Sequence, residues 1–536
     1  MKSIDHSRTN ARITINFLVP TVIVLSIFTG APRTASAAAK TCESLAQLAL
    51  PNTKITSAQQ VTSGEFTVPG RPASLKGLPP FCRVAATLTP SADSDIRVEV
   101  WFPLTGWNGK YRGEGNGGFA GSINFGALAE EIKLGYATAG TDTGHTGSDA
   151  RWALGHPEKV IDFGWRAIHE MTVTAKAIIR NFYGDPPKQS YFASCSNGGR
   201  EALMEAQRFP ADYDGIIAGA PANYWTHLLT AAMVMQSVTL NGDSYIPAAK
   251  LPAITAAVMA ACDEKDGLKD GLLTDPRQCQ FDPAILVCKG ADSDSCLTET
   301  QARALKSIYA GIPSYFPGFS RGSENSGWNG WITGAQPTLS AGHFFGSQFF
   351  TNMIYEKADW DYHTFNFAEA GKLVESKTAA ALNAIDPNLK PFRTRGGKLI
   401  LYHGWDDPGI PALNTINYFE SVQARMGQRD SDSFMRLFMA PGMAHCGGGP
   451  GPNVFGQDGQ ASSDDPEHNI YRALEQWVEK GLAPEQLIAT KYKDDRNPAQ
   501  GAKMTRPLCA YPKVAKYKGS GDPNDAASFV CAAPGK

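Results

Sequence analysis

Residues 95–103, DIRVEVWFP, alternate polar and apolar side chains, the period of two that a half-buried strand requires. The run GYATAGTDTG (135–144) reads as a short buried strand ending in a turn. Trp165, Ile168, Met171, Ala175 and Ile179 then recur three and four residues apart, the spacing of one helix face, and Gly184 is placed to close that helix as a C-cap. Strand SYFAS (190–194), a turn at Ser196, helix GGREALMEAQRF (198–209) and strand YDGIIAGAP (213–221) follow. Strand, helix, strand, helix predicts a parallel sheet with crossover helices. The rhythm breaks over residues 224–392, a stretch rich in Trp, Phe, Asn, Gly and Ser. It resumes with strand-and-loop segments GGKLILYHGWDDPGI (396–410) and SFMRLFMAPGMAHC (433–446), then a capped amphipathic helix in DDPEHNIYRALEQWVEKG (464–481). The pattern predicts an α/β core, residues 38–223 and 393–536, interrupted by a large inserted domain, residues 224–392.

The first 37 residues stand outside that pattern. Lys2, Arg8 and Arg12 precede an apolar run, INFLVPTVIVLSIF, and small residues at Ala35 and Ala37 suit cleavage after Ala37. This is read as a secretory signal peptide, because the apolar run is shorter than the ~20 residues of a membrane span. Its removal takes the formal charge from −2 to −5. At 42% hydrophobic and 19% charged, the chain has the composition of a globular protein. No basic patch points to nucleic acid, and no membrane partner is expected.

Ten cysteines follow the export signal: Cys42, Cys82, Cys195, Cys262, Cys279, Cys288, Cys296, Cys446, Cys509 and Cys531. An even count is expected of a disulfide-bonded protein that is secreted or periplasmic. None has zinc spacing. Sequence does not fix their connectivity. The close pairs Cys262/Cys279, Cys288/Cys296 and Cys509/Cys531 suggest local loops, and Cys42/Cys82 would pin the N-terminal segment. Cys195 and Cys446 are left for each other.

Cys195 directly precedes Ser196, and Cys446 directly follows His445. Ser194-Cys195-Ser196-Asn197-Gly198, between a strand and a helix, matches the G-x-S-x-G turn on which α/β-hydrolases mount a nucleophilic serine, with Ser194 in place of the first glycine. An acid is expected after a later strand, where Asp406 and Asp407 are both available, and a base after the last strand, where His445 stands. Ser, Asp, His is the chain order of that fold. A bond between Cys195 and Cys446 would bring nucleophile and base together and close a long loop. The oxyanion donors expected are the N–H groups of Asn197 and of Gly118, with Gly117 next, in the glycine-rich loop KYRGEGNGGFAG (110–121). Between Cys262 and Cys279, DEKDGLKDGLLTD gathers Asp263, Asp266 and Asp270 in one turn. Three carboxylates with oxygen-only ligation favour calcium.

GNGGFAG, CSNGGREALMEAQRFPADYDGIIAGAPA, CDEKDGLKDGLLTDPRQCQFDP, YHGWDDPGI and PGMAHCGGGPGPN together resemble the tannase/feruloyl esterase family over essentially the whole mature chain. The resemblance implies an α/β-hydrolase core with a lid domain and a Ser-Asp-His triad whose neighbours share a disulfide. It implies Asp407, the last position of H-G-x-x-D, rather than Asp406. It also implies a structural calcium ion in the lid, bound with help from the backbone carbonyls of Leu268 and Leu272, and five disulfides.

Substrate choice is expected to lie in the insertion, where Trp328, Trp331, Phe344, Phe345, Phe349 and Phe350 offer stacking surfaces for an aromatic acid, about half of them taken up by the insertion's own core. No arginine occurs between Arg321 and Arg393, whereas the terephthalate-monoester hydrolases of the resembled family hold a substrate carboxylate with a lid arginine. The expected activity is hydrolysis of small aromatic esters, feruloyl esters first and galloyl esters second, with terephthalate monoesters as a further alternative. Outside that class stand a lipase-like esterase and a binding protein for phenolics or glycans without catalysis.

Overall fold

A nine-stranded sheet organises the chain. In chain order its strands are β1 (Thr53–Val61), β2 (Phe81–Leu88), β3 (Ile96–Pro103), β4 (Lys110–Glu114), β5 (Ala137–Thr141), β6 (Gln189–Cys195), β7 (Gly215–Gly219), β8 (Lys398–Gly404) and β9 (Met435–Ala440). They lie side by side as β1-β2-β3-β5-β4-β6-β7-β8-β9. The computed structural model describes residues 40–239 and 242–534, and the expected export segment, residues 1–37, lies outside them. Thr41–Lys536 forms one compact unit.

From β5 to β9 the sheet is parallel, as the alternation of strand and helix predicts. The parallel pairing does not extend to the other edge, where β1, β2, β3 and β5 pair antiparallel. The physical reason is local. Residues 89–95, between β2 and β3, are too few for the crossover of about a dozen that a parallel pair needs. Between β1 and β2 the chain forms a small hairpin, Glu65–Thr67 against Ser74–Lys76, and no crossover helix.

Helices α1 (Ala167–Tyr183), α2 (Asn197–Arg208), α3 (Trp225–Thr239), α4 (Ala412–Met426) and α5 (Ile470–Lys480) bear on the site or the sheet. Gly184 caps α1 in the left-handed conformation at φ 90°. Helix α5 begins at Ile470 with Asn469 as its cap, later than the sequence pattern suggested. His468 therefore stands in the preceding turn, bound to Asp465, and not on a helix. His169 does lie on α1.

Between β7 and β8 the described residues form helices and loops and no strand. One stretch there, Gly242–Asp266, has the length and composition of a membrane span. It folds as a succession of short helices, and Leu251, Ile254, Val258 and Cys262 are buried in the insertion's core with Trp328.

All ten cysteines are paired, and each pair is one that the sequence suggested. Cys42–Cys82 ties the N-terminal segment to β2, with both residues fully buried and their Cα atoms 5.6 Å apart. Cys509–Cys531 closes a C-terminal loop, also across 5.6 Å. Cys262–Cys279 and Cys288–Cys296 staple the insertion, and Cys195–Cys446 spans the sheet's end.

Candidate active site

The ends of three strands converge, with β7 lying between the first two. Ser196 follows β6, Asp407 follows β8 by three residues, and His445 follows β9 by five. Ser196 occupies a turn between strand and helix with φ 67°, a left-handed backbone that an L-residue adopts only at a cost. Backbone bonds hold it there: Ser196 N–H donates to Gly219 O (2.9 Å), while its carbonyl accepts from the N–H groups of Arg200 and Ala222 (3.1 Å each). The turn passes close to its neighbours, so that a Cβ on Gly198 would stand 1.9 Å from Ser194 Oγ. The departure at Ser194 is thus accommodated because glycine occupies both 198 and 115, where a Cβ would lie 2.8 Å from Ser194 Oγ.

His445 Nε2 lies 2.9 Å from Ser196 Oγ, and His445 Nδ1 lies 2.7 Å from Asp407 Oδ2. Asp407 is 1% exposed, and its Oδ1 accepts N–H bonds from Gly409 (2.8 Å) and Ile410 (2.9 Å). Burial pushes its carboxyl up, but the His445 charge and hydrogen bonds from His403 and His445 outweigh burial and hold it well below the usual carboxylate range. Asp406 points elsewhere. It accepts from Ser326 Oγ at 2.8 Å, and burial pushes its carboxyl up to about 7. Of the two acids open in the sequence, Asp407 is the one that meets the histidine.

The Cys195–Cys446 disulfide, with Cα atoms 6.0 Å apart, clamps the two backbones one residue from Ser196 and His445. Asn197 is the first residue of α2, so its N–H has no partner within the helix, and the positive end of the helix dipole faces the serine. Gly118 lines the same cavity as Ser196, with φ 56°. Among the described residues, neither the Asn197 nor the Gly118 N–H has an acceptor. Gly117 lends its carbonyl to Ala120 N–H and does not line the cavity.

Sequence reasoning passed over the supports of this arrangement. His403, fully buried, places Nε2 3.1 Å from Asp407 Oδ2 and is anchored through Nδ1 to Thr415. Its signal was present as the histidine of H-G-x-x-D, four residues before the acid. Beneath the glycine-rich loop, Glu201 accepts from Asn116 N–H and Asn197 Nδ2, each at 2.9 Å, and Arg200 donates to Asn197 Oδ1. Burial pushes Glu201 up to about 7 although the Arg200 charge opposes it.

The cavity over Ser196 encloses about 850 Å³ of unfilled space, its mouth included. Its walls are apolar, drawn from α3 and from the later part of the insertion. Of the six aromatic candidates, Trp331 and Phe345 line it and Phe344 is 39% exposed, while Trp328 is fully buried in the insertion's own core and Phe349 and Phe350 are fully buried where the insertion packs on Phe119 and Phe163 of the first core segment. The Trp331 ring meets the His445 ring edge-on at 5.0 Å. No arginine or lysine lines the cavity among the described residues.

Asp263, Asp266 and Asp270 lie in the loop closed by the Cys262–Cys279 disulfide, 17 residues apart in sequence. Their carboxylates accept N–H bonds from Gly271, Leu268, Thr274 and Leu272, and Asp270 also accepts from Arg506 at 2.7 Å.

Comparison with known proteins gives the family and the fold. Residues 82–532 match the family model described as tannase and feruloyl esterase. An uncharacterized esterase of Xanthomonas campestris pv. campestris is 41% identical, over 94% of this chain and 93% of its own. A probable feruloyl esterase B-2 of Aspergillus terreus is 32% identical over 96% of this chain and 99% of its own. The crystal structure of feruloyl esterase B from Aspergillus oryzae superposes with a TM-score of 0.85 at 28% identity, covering 92% of this chain and 99% of that one. The chain therefore belongs to the tannase and feruloyl esterase family, and it is an α/β-hydrolase-fold carboxylic ester hydrolase.

Proposed function

We propose that the protein is an exported serine esterase that cleaves esters of hydroxylated aromatic acids, feruloyl esters first and galloyl esters second. The observation that carries this reading is the hydrogen-bonded series Ser196–His445–Asp407, opening directly into an apolar, aromatic-walled cavity. Five disulfides support an oxidising destination, secreted or periplasmic.

In this mechanism Ser196 Oγ attacks the ester carbonyl as His445 Nε2 takes its proton. Asp407 fixes the imidazole tautomer and stabilises the imidazolium. The N–H groups of Asn197 and Gly118 receive the developing oxyanion; each such donor is typically worth about 10²–10³ in kcat. The imidazolium then protonates the departing alcohol, and the acyl group remains on Ser196. Water enters, gives its proton to His445, and releases the acid as the proton returns to Ser196.

Terephthalate monoesters fit less well, because a free substrate carboxylate would enter a cavity that offers it no lysine or arginine. We also infer that Asp263, Asp266 and Asp270, with the carbonyls of Leu268 and Leu272, hold calcium. Burial and the neighbouring Asp266 charge push the Asp263 and Asp270 carboxyls up, against Arg506 at Asp270, so ionising all three acids in this loop carries a cost that a bound cation would relieve. The ion would supply cross-linking within the insertion and no step of the chemistry.

Initial rates on methyl ferulate, methyl gallate and a terephthalate monoester test the reading, with Ser196→Ala as the blank. Preference for the first two, together with organophosphate labelling lost in Ser196→Ala, supports it. Preference for the terephthalate ester, or labelling that survives the substitution, overturns it.

A further inference from the structure

We propose that Gln236 is the recognition residue at the far end of the acyl cavity, and that its Oε1 accepts a hydrogen bond from a phenolic hydroxyl on the substrate ring. The inference rests on the reading of this cavity as the seat of the aromatic acid.

Helix α3 supplies one wall. Trp225, Leu228, Leu229, Ala232, Met235 and Gln236 all line the cavity, and their spacing of three and four residues places them on one helix face. The helix starts beside the nucleophile, since Ala222 N–H, three residues before it, donates to Ser196 O at 3.1 Å. Gln236 stands three turns beyond Trp225, about 16 Å along the axis. The face thus runs from the reacting serine to Gln236 as a strip of apolar side chains with a carboxamide at its end.

That carboxamide is only half satisfied. Gln236 is 2% exposed, and its Nε2 donates to the carbonyl of Ile332 at 3.2 Å. A carbonyl can only accept, so this bond fixes which end of the amide is the nitrogen. Oε1 then meets no donor among the described residues. A buried acceptor without a partner is unfavourable, and native interiors rarely leave one so. A Cβ on Gly342, which shares this wall, would lie 3.3 Å from Gln236 Nε2 and 2.9 Å from Trp331 O, so glycine is what lets this segment pass so close to the amide. The Trp225 indole N–H also lacks a partner, but it is a donor at the nucleophile's end of the helix and cannot make the same selection.

An acceptor at this place selects for a donor at a matching distance. A ring hydroxyl para to the acyl chain can donate, whereas a methoxy group or a hydrogen cannot. An acyl group whose ring is separated from the carbonyl by a two-carbon spacer carries its para hydroxyl farther along this face than one whose ring is attached directly.

The test is kcat/KM for the methyl esters of 4-hydroxycinnamic, 4-methoxycinnamic, cinnamic and 4-hydroxybenzoic acids, with wild type, Gln236→Leu and Gln236→Met. The wild type should prefer the 4-hydroxycinnamate by about tenfold or more over the other three, the worth of one buried hydrogen bond. In both variants the ratio of hydroxylated to unhydroxylated cinnamate should fall to near one. Equal wild-type turnover of hydroxy, methoxy and unsubstituted cinnamates would overturn the proposal without needing any variant to fold, and so would a preference that survives in both variants. Equal turnover of 4-hydroxybenzoate and 4-hydroxycinnamate would overturn the placement at the far end. 4-Nitrophenyl acetate, run on the same preparations, separates this from the reading beneath it. Turnover of the acetate with none of the cinnamates would overturn the aromatic-acid reading and this inference with it.

Discussion

Replacing the Cys195–Cys446 pair by alanine should cost activity in addition to stability, and the two losses can be measured apart. The bridge joins residues 251 apart in sequence across 6.0 Å between Cα atoms. The chain-entropy model assigns a loop of that size about 5 kcal/mol, an upper figure because the unfolded chain is already shortened by other disulfides. Denaturant unfolding of the double variant reads that loss. The catalytic loss has a separate origin. Ser196 and Cys446 both hold positive φ, 67° and 63°, and the nucleophile meets its base at 2.9 Å only while both backbones stay in place. A drift of about 1 Å in such a contact costs on the order of 10²-fold. At a temperature where circular dichroism shows the Cys195→Ala/Cys446→Ala chain folded, kcat should therefore fall roughly 100-fold with little change in KM. Wild-type kcat in that folded variant would refute the reasoning, and would mean that the strands and α2 alone position the pair.

Asp407→Asn should lower kcat by about 10⁴-fold, as loss of the orienting acid does in other triads, while Asp406→Asn leaves kcat near wild type. Asp406, with its carboxyl raised to about 7 in the fold, should instead show in stability: its contribution is fully present below the ordinary carboxylate range and is lost as pH rises through about 7. Thermal melts should accordingly show Asp406→Asn gaining on the wild type between about pH 4 and pH 7 and holding that gain above it, and a pH-independent difference would count against the assignment. Chelation should lower the melting temperature and added calcium restore it, by about 2.7 kcal/mol at a hundredfold excess over Kd, and Asp263→Ala should abolish the response. Gly198→Ala should be overpacked against Ser194 by about 1–3 kcal/mol, with Ser194→Gly in the same chain recovering most of it; no recovery in the melt would show that Ser194 is not the obstacle.

What the sequence made legible follows from where each constraint is written. Strands β3 and β5 to β9 and helices α1 and α2 carry periodic apolar faces or apolar runs, and each stands where the pattern puts it; β4, KYRGE, has neither, and in the sequence it reads as part of the glycine-rich loop. Strand β1, TKITSAQQV, has mostly exposed or half-buried positions and a register shift between Ile55 and Ser57, so no clean alternation advertised it or the antiparallel edge it begins. The serine, the histidine and their bridge were legible because covalent neighbours tie distant positions together. The pair Cys509–Cys531 was legible for a plainer reason, nearness along the chain, as were the two pairs of the insertion. The choice between Asp406 and Asp407 was not written in the residues themselves, because both sit in the same turn and only the direction of each side chain distinguishes them. Helix α3 is buried nearly all round, so its composition marks it as interior without marking which face borders a cavity. Gln236 is the extreme case. A glutamine in an apolar helix can be satisfied locally, by the carbonyl of a neighbouring segment, and in the sequence it looks no different from one that is. Its interest lies in Oε1, which has no donor among the described residues, and a missing partner is a property of the space around an atom that no residue pattern records. Residues that act through what they touch leave a trace in spacing, whereas a residue that acts through what it lacks is found only when the fold is assembled around it.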